Sequence, residues 1–260
     1  MDIVQYVNAD GHYAIDVLRP EWPAPDIIRA ATTLRKGGTS LPPYHSLNLG
    51  DHVGDDPAAV RENRSRLLQS LDLPATPCWL AQVHGTTVID AARNTAQAVV
   101  PLQADAAFTT QGGIVCAVLT ADCLPVLFCD RQGRRVAVAH AGWRGLAAGV
   151  LEATVQALAV RANDILVWLG PAIGPQAFEV GAEVREAFSV QDKAAQQAFS
   201  ACGDGRFMAD LYQLARLRLH RMGIAAVYGG QYCTYQQPQD FYSYRRDGDC
   251  GRMASLIWIQ

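Results

Sequence analysis

The sequence lacks the features that mark several classes of protein. Its apolar runs are all too short to span a bilayer, so no transmembrane helix is expected. Its 22 Lys and Arg residues do not exceed its 25 Asp and Glu residues, and the net charge of −3 does not indicate a nucleic-acid or membrane partner. Seven cysteines without tight spacing do not indicate a disulfide framework, and Met1–Tyr6 lacks the cationic start and apolar stretch of a signal peptide. We therefore expect a cytoplasmic protein.

Apolar residues are abundant. They make up half of the 260 positions, which is enough for a large core. Three segments have helical patterns: Pro57 to about Leu71 after the N-cap Asp56, about Leu146 to Val160, and Asp210 to the residue before Gly223. Short apolar runs bounded by Gly and Pro are predicted strands: Ile114–Leu119, Leu124–Phe128, Arg135–Ala139, Ile165–Leu169, Ala225–Tyr228 and Ser255–Ile259.

The order of these elements favours a mixed sheet. The stretch from Ile114 to Ala139 contains turns but no crossover helix, which a purely parallel sheet would require. We expect an α+β (mixed α/β) fold in which mixed sheet layers are flanked by helices. Without repeats or a Pro/Ser-rich linker, residues 1–260 are predicted to form a single domain. The polar segment Gln191–Arg206 is expected to lie on the surface.

Two histidines and one cysteine, His84, Cys123 and His140, each close an apolar run and precede a turn. The run from Trp79 is interpreted as a strand, which would place Gln82 and His84 on one face. Imidazole and thiolate are usual ligands of zinc, and three protein ligands leave the fourth position open, as in catalytic zinc sites. A metal-activated water is therefore the leading hypothesis.

The residues around Cys123 leave several roles open. Asp122 and Cys123 interrupt a strand shortly before Pro125, which implies a kink that can aim a side chain into a cleft. Asp122 can act as an acid/base group, support a metal ligand or cap the turn, and the sequence does not choose among these roles. Cys116 and Cys129 are expected to be buried and inert.

The turn after His140 contains Gly142, Trp143, Arg144 and Gly145 and leads into a helix. Free N–H groups at a helix start favour anions, and the guanidinium of Arg144 can grip a phosphate or carboxylate at two points. Trp143 offers a flat face to a ring. A binding role is favoured here over a glycine-rich turn with a packed tryptophan.

Two further segments carry weaker signals. Gly170–Pro175 predicts a rigid turn. In Asp240–Gly248 aromatic residues alternate with polar ones, which predicts a half-buried strand. Arg245 or Arg246 would reach the cleft from that strand.

The motifs together resemble a known family, that of the multicopper polyphenol oxidoreductase or laccase-domain proteins. Its members are also described as zinc-dependent purine nucleoside phosphorylases with adenosine deaminase activity and as peptidoglycan editing factors. The resemblance runs from about residue 27 to the end and implies a single mixed α/β domain with zinc held by His84, Cys123 and His140. The motifs that carry it are Ser46–Gly50, His52–Asp55, Asn63-Arg64, Gln82–Gly85, Thr120–Cys123, His140–Gly145, Gly170–Pro175 and Phe241–Gly248.

Three chemistries compete under this resemblance. A laccase holds several coppers largely through histidine, whereas this chain has six histidines, no His-x-His pair and no methionine near the three segments. The oxidase is therefore disfavoured, although copper remains an alternative occupant of the site. In an amidase acting on a peptidoglycan precursor, Cys123 would be the nucleophile, with His140 or His84 as its base. A non-enzymatic metal-binding module is the least favoured class.

Purine nucleoside chemistry fits best. Zn²⁺ generates hydroxide from water at neutral pH, which suits deamination of adenosine to inosine. Phosphorolysis of adenosine, inosine, guanosine and methylthioadenosine needs a bound phosphate in addition. The expected partners are a purine nucleoside and phosphate, and the chain is expected to be a monomer or homodimer. We assign catalysis to His84, Asp122, Cys123 and His140, and substrate binding to Asn48, Arg64, Gln82, Arg144 and Arg246.

Overall fold

The computed structural model describes residues 3–8, 10–12, 14–93 and 101–260. Met1 and Asp2, where the segment compared with a signal peptide begins, lie outside these ranges. The helices of the described residues are α1 Pro57–Ser70, α2 Trp143–Ala148, α3 Val150–Leu158, α4 Ala182–Ser189, α5 Leu211–Arg221 and α6 Tyr244–Asp247. None of these helices is long and apolar enough to cross a membrane.

The strands form two large sheets and one small sheet. The strands of the described residues are β1 Ile3–Val7, β2 Ala14–Leu18, β3 Ile28–Thr33, β4 Val88–Asp90, β5 Ala106–Thr109, β6 Val115–Thr120, β7 Leu124–Asp130, β8 Val136–Ala141, β9 Ile165–Leu169, β10 Glu179–Val180, β11 Phe199–Gly203, β12 Arg206–Ala209, β13 Val227–Gly229 and β14 Met253–Ile259. The five-stranded sheet has the order β1-β2-β3-β14-β6, the six-stranded sheet β13-β9-β7-β8-β5-β4, and the small sheet β10-β12-β11. The six-stranded sheet is mixed, because β13 pairs with β9 and β4 with β5 in parallel.

The two large sheets pack face to face and carry helices on their outer faces. Every residue of β7 is buried, because its two faces contribute to different cores. Val126 and Phe128 pack with α3 and α5, whereas Leu127 and Cys129 pack against the five-stranded sheet. A third core lies under α1, where Leu67 contacts the outer face of the five-stranded sheet. The expected α+β fold with helix-flanked mixed sheets is confirmed.

The predicted elements are largely confirmed, with one helix divided in two. Asp56 caps α1, and Asp210 caps α5 through a bond to the backbone N–H of Gln213. The helix predicted from Leu146 to Val160 instead begins at Trp143 and is interrupted at Gly149, whose φ of +105° ends α2. Glycine adopts this left-handed conformation without steric cost, so the residue serves as a C-cap.

Two predicted strands are wrong. The segment from Trp79 to His84 contains no strand; it is an extended loop with single bridges at Cys78 and Ala81. Asp240–Gly248 contains the helix α6 rather than a strand, because the Ser243 hydroxyl caps a helical turn by accepting from the N–H of Arg246. Gln191–Arg206 is mostly exposed, and it forms a 3₁₀ turn at Lys193–Ala198 and strand β11.

Candidate metal centre

The three residues that end apolar runs in the sequence meet at one point of the fold. His84, Cys123 and His140 each offer one ligand atom, and these atoms all lie within 4.8 Å of one another. Sγ of Cys123 lies 3.7 Å from Nε2 of His84. The two imidazole rings meet edge to face, with centroids 4.7 Å apart. The described part of the chain therefore contains a His–Cys–His cluster that can hold a metal ion.

The antiparallel pairing of β7 and β8 brings two of the candidate metal ligands, Cys123 and His140, together. Cys123 immediately precedes β7 and His140 is the second-last residue of β8, and Pro125 pairs with His140 across the ladder. The start of one strand and the end of its antiparallel neighbour share one edge of the sheet. His84 reaches the same edge from the preceding loop, with a φ of +60° that non-glycine residues rarely adopt.

The carboxylate of Asp105 accepts hydrogen bonds from both histidine segments of the cluster. This fully buried residue precedes β5, and its carboxylate accepts a hydrogen bond of 2.8 Å from Nδ1 of His140. The same carboxylate accepts from the backbone N–H groups of His84 at 2.9 Å and Gly85 at 2.7 Å. Burial alone would raise the pKa of Asp105, but these bonds from His140, Gly85 and His84 outweigh it and hold the pKa below its usual value.

Cys123 and His140 carry opposite charges in the metal-free cluster. Burial opposes ionisation of the thiol, yet the neighbouring imidazoles of His140 and His84 lower the pKa of Cys123 to about 6. Burial opposes the charge of His140 as well, but the thiolate of Cys123 and the carboxylate of Asp105 raise its pKa to about 9. At neutral pH the metal-free cluster is therefore a thiolate–imidazolium pair.

The residues present fit a bound metal ion. Two imidazoles and a thiolate are the donor types that zinc and copper prefer, and a carboxylate behind a ligand histidine is the usual outer partner at such sites. The backbone also leaves room at the cluster: a Cβ on Gly142 would lie 2.8 Å from Cδ2 of His84 and 2.9 Å from Sγ of Cys123. Glycine keeps this position open.

Asp122 supports the turn that carries Cys123. Its φ is +91°, and its carboxylate accepts hydrogen bonds from the Thr234 hydroxyl at 2.6 Å and from the backbone N–H of Arg245 at 2.7 Å. Its carbonyl accepts from the N–H of Ile173 at 2.9 Å. Helix α6 and the two loops that contain Thr234 and Ile173 are thereby fixed to the residue before Cys123. Of the roles left open by the sequence, this geometry favours the structural one.

The two amide side chains assigned to substrate binding, those of Asn48 and Gln82, are already hydrogen-bonded within the protein. The amide of Asn48 is fully buried and bonds to Gly50, Asp55 and the backbone N–H of Arg252. Gln82 exchanges two hydrogen bonds with the backbone of Leu119. The Asn48 amide joins three parts of one polar cluster, and the Gln82 amide ties its loop to β6.

The three assigned arginines differ in how far they are engaged. Arg246 donates to the carbonyls of Thr234, Tyr235 and Phe241 and to Asp247, the residue beside it. Arg64 donates to the carbonyl of Leu49 and stacks on the ring of Trp79. Its Nη2 lies 3.3 Å from Oδ2 of Asp51.

Arg144 is different. It is exposed and stacks on Trp143 at 4.4 Å, and it makes no hydrogen bond or ion pair with another described residue. It lies four residues after His140 in the chain.

The sequence interpretation missed Asp105 and Thr234. Asp105 stands between alanines at the start of an apolar strand, Ala104-Asp105-Ala106. A carboxylate in such a position is buried and needs a partner, and that signal could have identified it. Thr234 carries no comparable local signal, because its partner Asp122 lies 112 residues away.

The helix-flanked mixed sheets and the His–Cys–His cluster at their edge define an α+β protein with a candidate metal site. The chain belongs to the family described as multi-copper polyphenol oxidoreductase laccase, whose model matches residues 29–260. The predicted family resemblance is therefore confirmed.

Named relatives and a solved structure resemble more than nine tenths of the chain. A Pseudomonas aeruginosa protein named purine nucleoside phosphorylase is 56% identical over 244 residues, which cover 94% of this chain and 98% of the relative. An Escherichia coli protein named purine nucleoside phosphorylase YfiH is 55% identical and covers 92% of this chain and 97% of the relative. The crystal structure of Neisseria meningitidis protein NMB0706 has a TM-score of 0.90 at 51% identity, covering 94% of this chain and 99% of that one.

Proposed function

We propose that this protein is a zinc-dependent purine nucleoside enzyme that cleaves nucleosides with phosphate and deaminates adenosine. The observation that carries the proposal is the convergence of His84, Cys123 and His140, with ligand atoms within 4.8 Å of one another. The names of the Pseudomonas and Escherichia relatives support the purine nucleoside part. The substrates proposed are adenosine, inosine, guanosine and methylthioadenosine.

The two imidazoles and the thiolate would hold the zinc ion. Bound zinc supplies Lewis acidity and lowers the pKa of water that it binds. Cys123 suits this role because its lowered pKa, about 6, makes it a thiolate at neutral pH without a further base. Asp105 keeps Nδ1 of His140 engaged, which leaves Nε2 to face the cluster.

Arg144 is the proposed phosphate-binding residue. Its guanidinium is exposed and stacks on Trp143 at 4.4 Å, and the residue lies in the first turn of α2, shortly after His140. A guanidinium without a protein partner can give two parallel hydrogen bonds to one phosphate. We propose that Asn48, Arg64, Gln82 and Arg246 contribute by shaping the substrate pocket, since their polar groups already bond within the chain.

One observation favours a second function, a cysteine amidase. The thiolate–imidazolium pair of Cys123 and His140 resembles an activated nucleophile with its base. In that case the thiolate would attack an amide carbonyl, and the imidazolium would give its proton to the leaving amine. The same residues cannot serve as nucleophile and metal ligand at once, so metal content separates the two functions.

The donor set disfavours a multicopper oxidase. Within the described residues one cluster of possible metal ligands is found, and it contains two of the six histidines. A trinuclear copper centre would need many more imidazoles close together. Copper remains an alternative occupant of this one site.

The proposal is tested by metal analysis and product analysis of the same preparation. Adenosine, inosine and methylthioadenosine are incubated with and without phosphate, using native protein, Cys123→Ala and the control Cys202→Ala, which removes an exposed cysteine. We expect zinc and nucleoside turnover to be lost together in Cys123→Ala and kept in Cys202→Ala. Full turnover by metal-free Cys123→Ala would contradict the proposal.

A further inference from the structure

One buried carboxylate receives hydrogen bonds from both histidine segments of the cluster. Oδ1 of Asp105 accepts from Nδ1 of His140 at 2.8 Å and from the backbone N–H of His84 at 2.9 Å. Oδ2 accepts from the N–H of Gly85 at 2.7 Å and from that of Val83 at 3.2 Å. A carboxylate offers about four acceptor positions, so all of them are used.

We propose that Asp105 is a positioning residue that orients both histidine ligands through this single carboxylate. The inference deepens the proposed function and rests on its metal site. On the His140 side, Nδ1 carries a proton and donates a hydrogen bond to Asp105. The lone pair of Nε2 is therefore available to the metal. The backbone N–H of His140 also donates to the carbonyl of Asp105 at 2.7 Å, which fixes the strand as well as the ring.

On the His84 side, Asp105 fixes a backbone conformation. The N–H groups of Val83, His84 and Gly85 all point at its carboxylate. Three successive N–H groups converging on one anion form an anion-binding concavity, which the carboxylate fills. His84 takes its φ of +60° in the middle of this turn, and that conformation directs its side chain toward Cys123.

The pattern of donors makes Asp105→Asn a specific probe. The variant has the same shape, but its amide has one accepting oxygen and one donating nitrogen. In one orientation the NH₂ group of the amide faces the N–H donors of His140 and His84. In the other orientation it faces those of Gly85 and Val83. One histidine ligand is therefore misplaced whichever way the amide turns.

The matched control is Asp130→Asn. Asp130 is also a buried aspartate that accepts backbone hydrogen bonds, from Arg134 at 2.6 Å and Arg135 at 2.9 Å. It ends β7, at the opposite end of the strand from Cys123. Asp130→Asn therefore reports the general cost of losing a buried carboxylate.

The measurement is Zn²⁺ affinity by competition with a chromophoric chelator, for the full-length protein and both variants. We expect Asp105→Asn to bind Zn²⁺ about 10- to 100-fold more weakly, the range typical of outer partners of metal ligands, and Asp130→Asn to bind as the native protein does. Equal affinity of Asp105→Asn and native protein would overturn the inference, as would an equal loss in both variants.

A second readout uses the native protein and survives any failure of the variant to fold. Nitrogen-15 labelled histidine should show a slowly exchanging Nδ1 proton on His140, with and without Zn²⁺. Its absence would overturn the positioning role. Failure of the native protein to bind Zn²⁺ while this proton is present would instead contradict the proposed function and leave the contact between Asp105 and His140 supported.

Discussion

The hydroxyl of Thr234 donates a hydrogen bond of 2.6 Å to the carboxylate of Asp122, the residue directly before Cys123. Both partners are buried, and the contact joins the loop after β13 to the turn that presents the thiol. The position of a proposed metal ligand therefore depends on a residue that lies 112 positions beyond the ligand's neighbour Asp122.

Thr234→Val should separate this supporting role from general stability. Valine keeps the shape but leaves a buried carboxylate oxygen without its donor, which we expect to cost about 1–3 kcal/mol of unfolding free energy. The turn at Cys123 should also loosen, and Zn²⁺ affinity should fall by roughly tenfold, the low end for outer partners of metal ligands. Chemical denaturation and chelator competition measure the two effects.

The control for that variant is Thr32→Val, which removes another buried hydroxyl contact, 2.7 Å from Ser255. We expect a comparable loss of stability with Zn²⁺ affinity unchanged. If both variants alter the affinity alike, the contact between Thr234 and Asp122 has no particular connection to the metal site.

In metal-free protein, Cys123 should lose its reactivity only at a pH that is unusually low for a thiol. Because the imidazoles of His140 and His84 lower its pKa to about 6, the thiolate persists at neutral pH and is protonated only as the pH falls through that value. Alkylation by iodoacetamide, followed by mass spectrometry of the peptide containing Cys123, should therefore remain fast down to about pH 6. Saturation with Zn²⁺ should protect the residue.

Two results would count against this interpretation of the thiol. One is alkylation that rises only near about pH 8.5, where ordinary cysteines ionise. The other is reactivity that Zn²⁺ leaves unchanged. Cys123→Ser supplies the background rate.

Gly142→Ala should damage the site without altering the turn conformation. The φ of Gly142 is −60°, which alanine accepts, so the cost comes from the added methyl group. That group would lie 2.8 Å from the ring of His84 and 2.9 Å from Sγ of Cys123. We expect displacement of a ligand and a loss of about 100-fold in turnover, as when a reacting group is misplaced by about an ångström.

Gly112→Ala is the matched control, because a Cβ there meets nothing closer than 3.8 Å. Steady-state kinetics and Zn²⁺ content of both variants test the expectation. Normal zinc content and turnover in Gly142→Ala would show that the three side chains do not act as one site.

Arg144→Ala should separate phosphorolysis from deamination. The side chain is exposed, so stability should change by no more than about 0.5 kcal/mol. If Arg144 binds phosphate, the KM for phosphate should rise while phosphate-independent deamination of adenosine is unchanged. Arg134→Ala, whose side chain is 72% exposed in the turn between β7 and β8, is the control. An unchanged KM for phosphate would assign the binding role elsewhere.

The sequence predicted the cluster because each of its members has a local signal. His84, Cys123 and His140 stand where apolar runs end, and functional groups of such positions gather at a sheet edge. The six strands predicted between Ile114 and Ile259 lie in continuous apolar runs. The structure has a strand at each of these six places, so this pattern predicted the fold best.

The contributions that sequence reasoning missed are non-local. Asp105 acts through residues 20 to 35 positions away, and no spacing rule connects them. Asn48 and Arg246 carry polar groups suited to a substrate, but the fold uses those groups to hold loops. At Asp240–Gly248 the alternating aromatic pattern predicted a strand, whereas Ser243 caps a short helix instead. For Asp105, Asn48 and Arg246 a tertiary contact decides the role of the residue, whereas the Ser243 cap is a local contact with Arg246.

The central claim is that two imidazoles and one thiolate share a single zinc ion. X-ray absorption spectroscopy of protein purified without chelators tests it most directly. The account predicts zinc with one sulfur neighbour at about 2.3 Å and nitrogen neighbours at about 2.0–2.1 Å, and loss of the sulfur neighbour in Cys123→Ser. A zinc shell without sulfur in the native protein would contradict it.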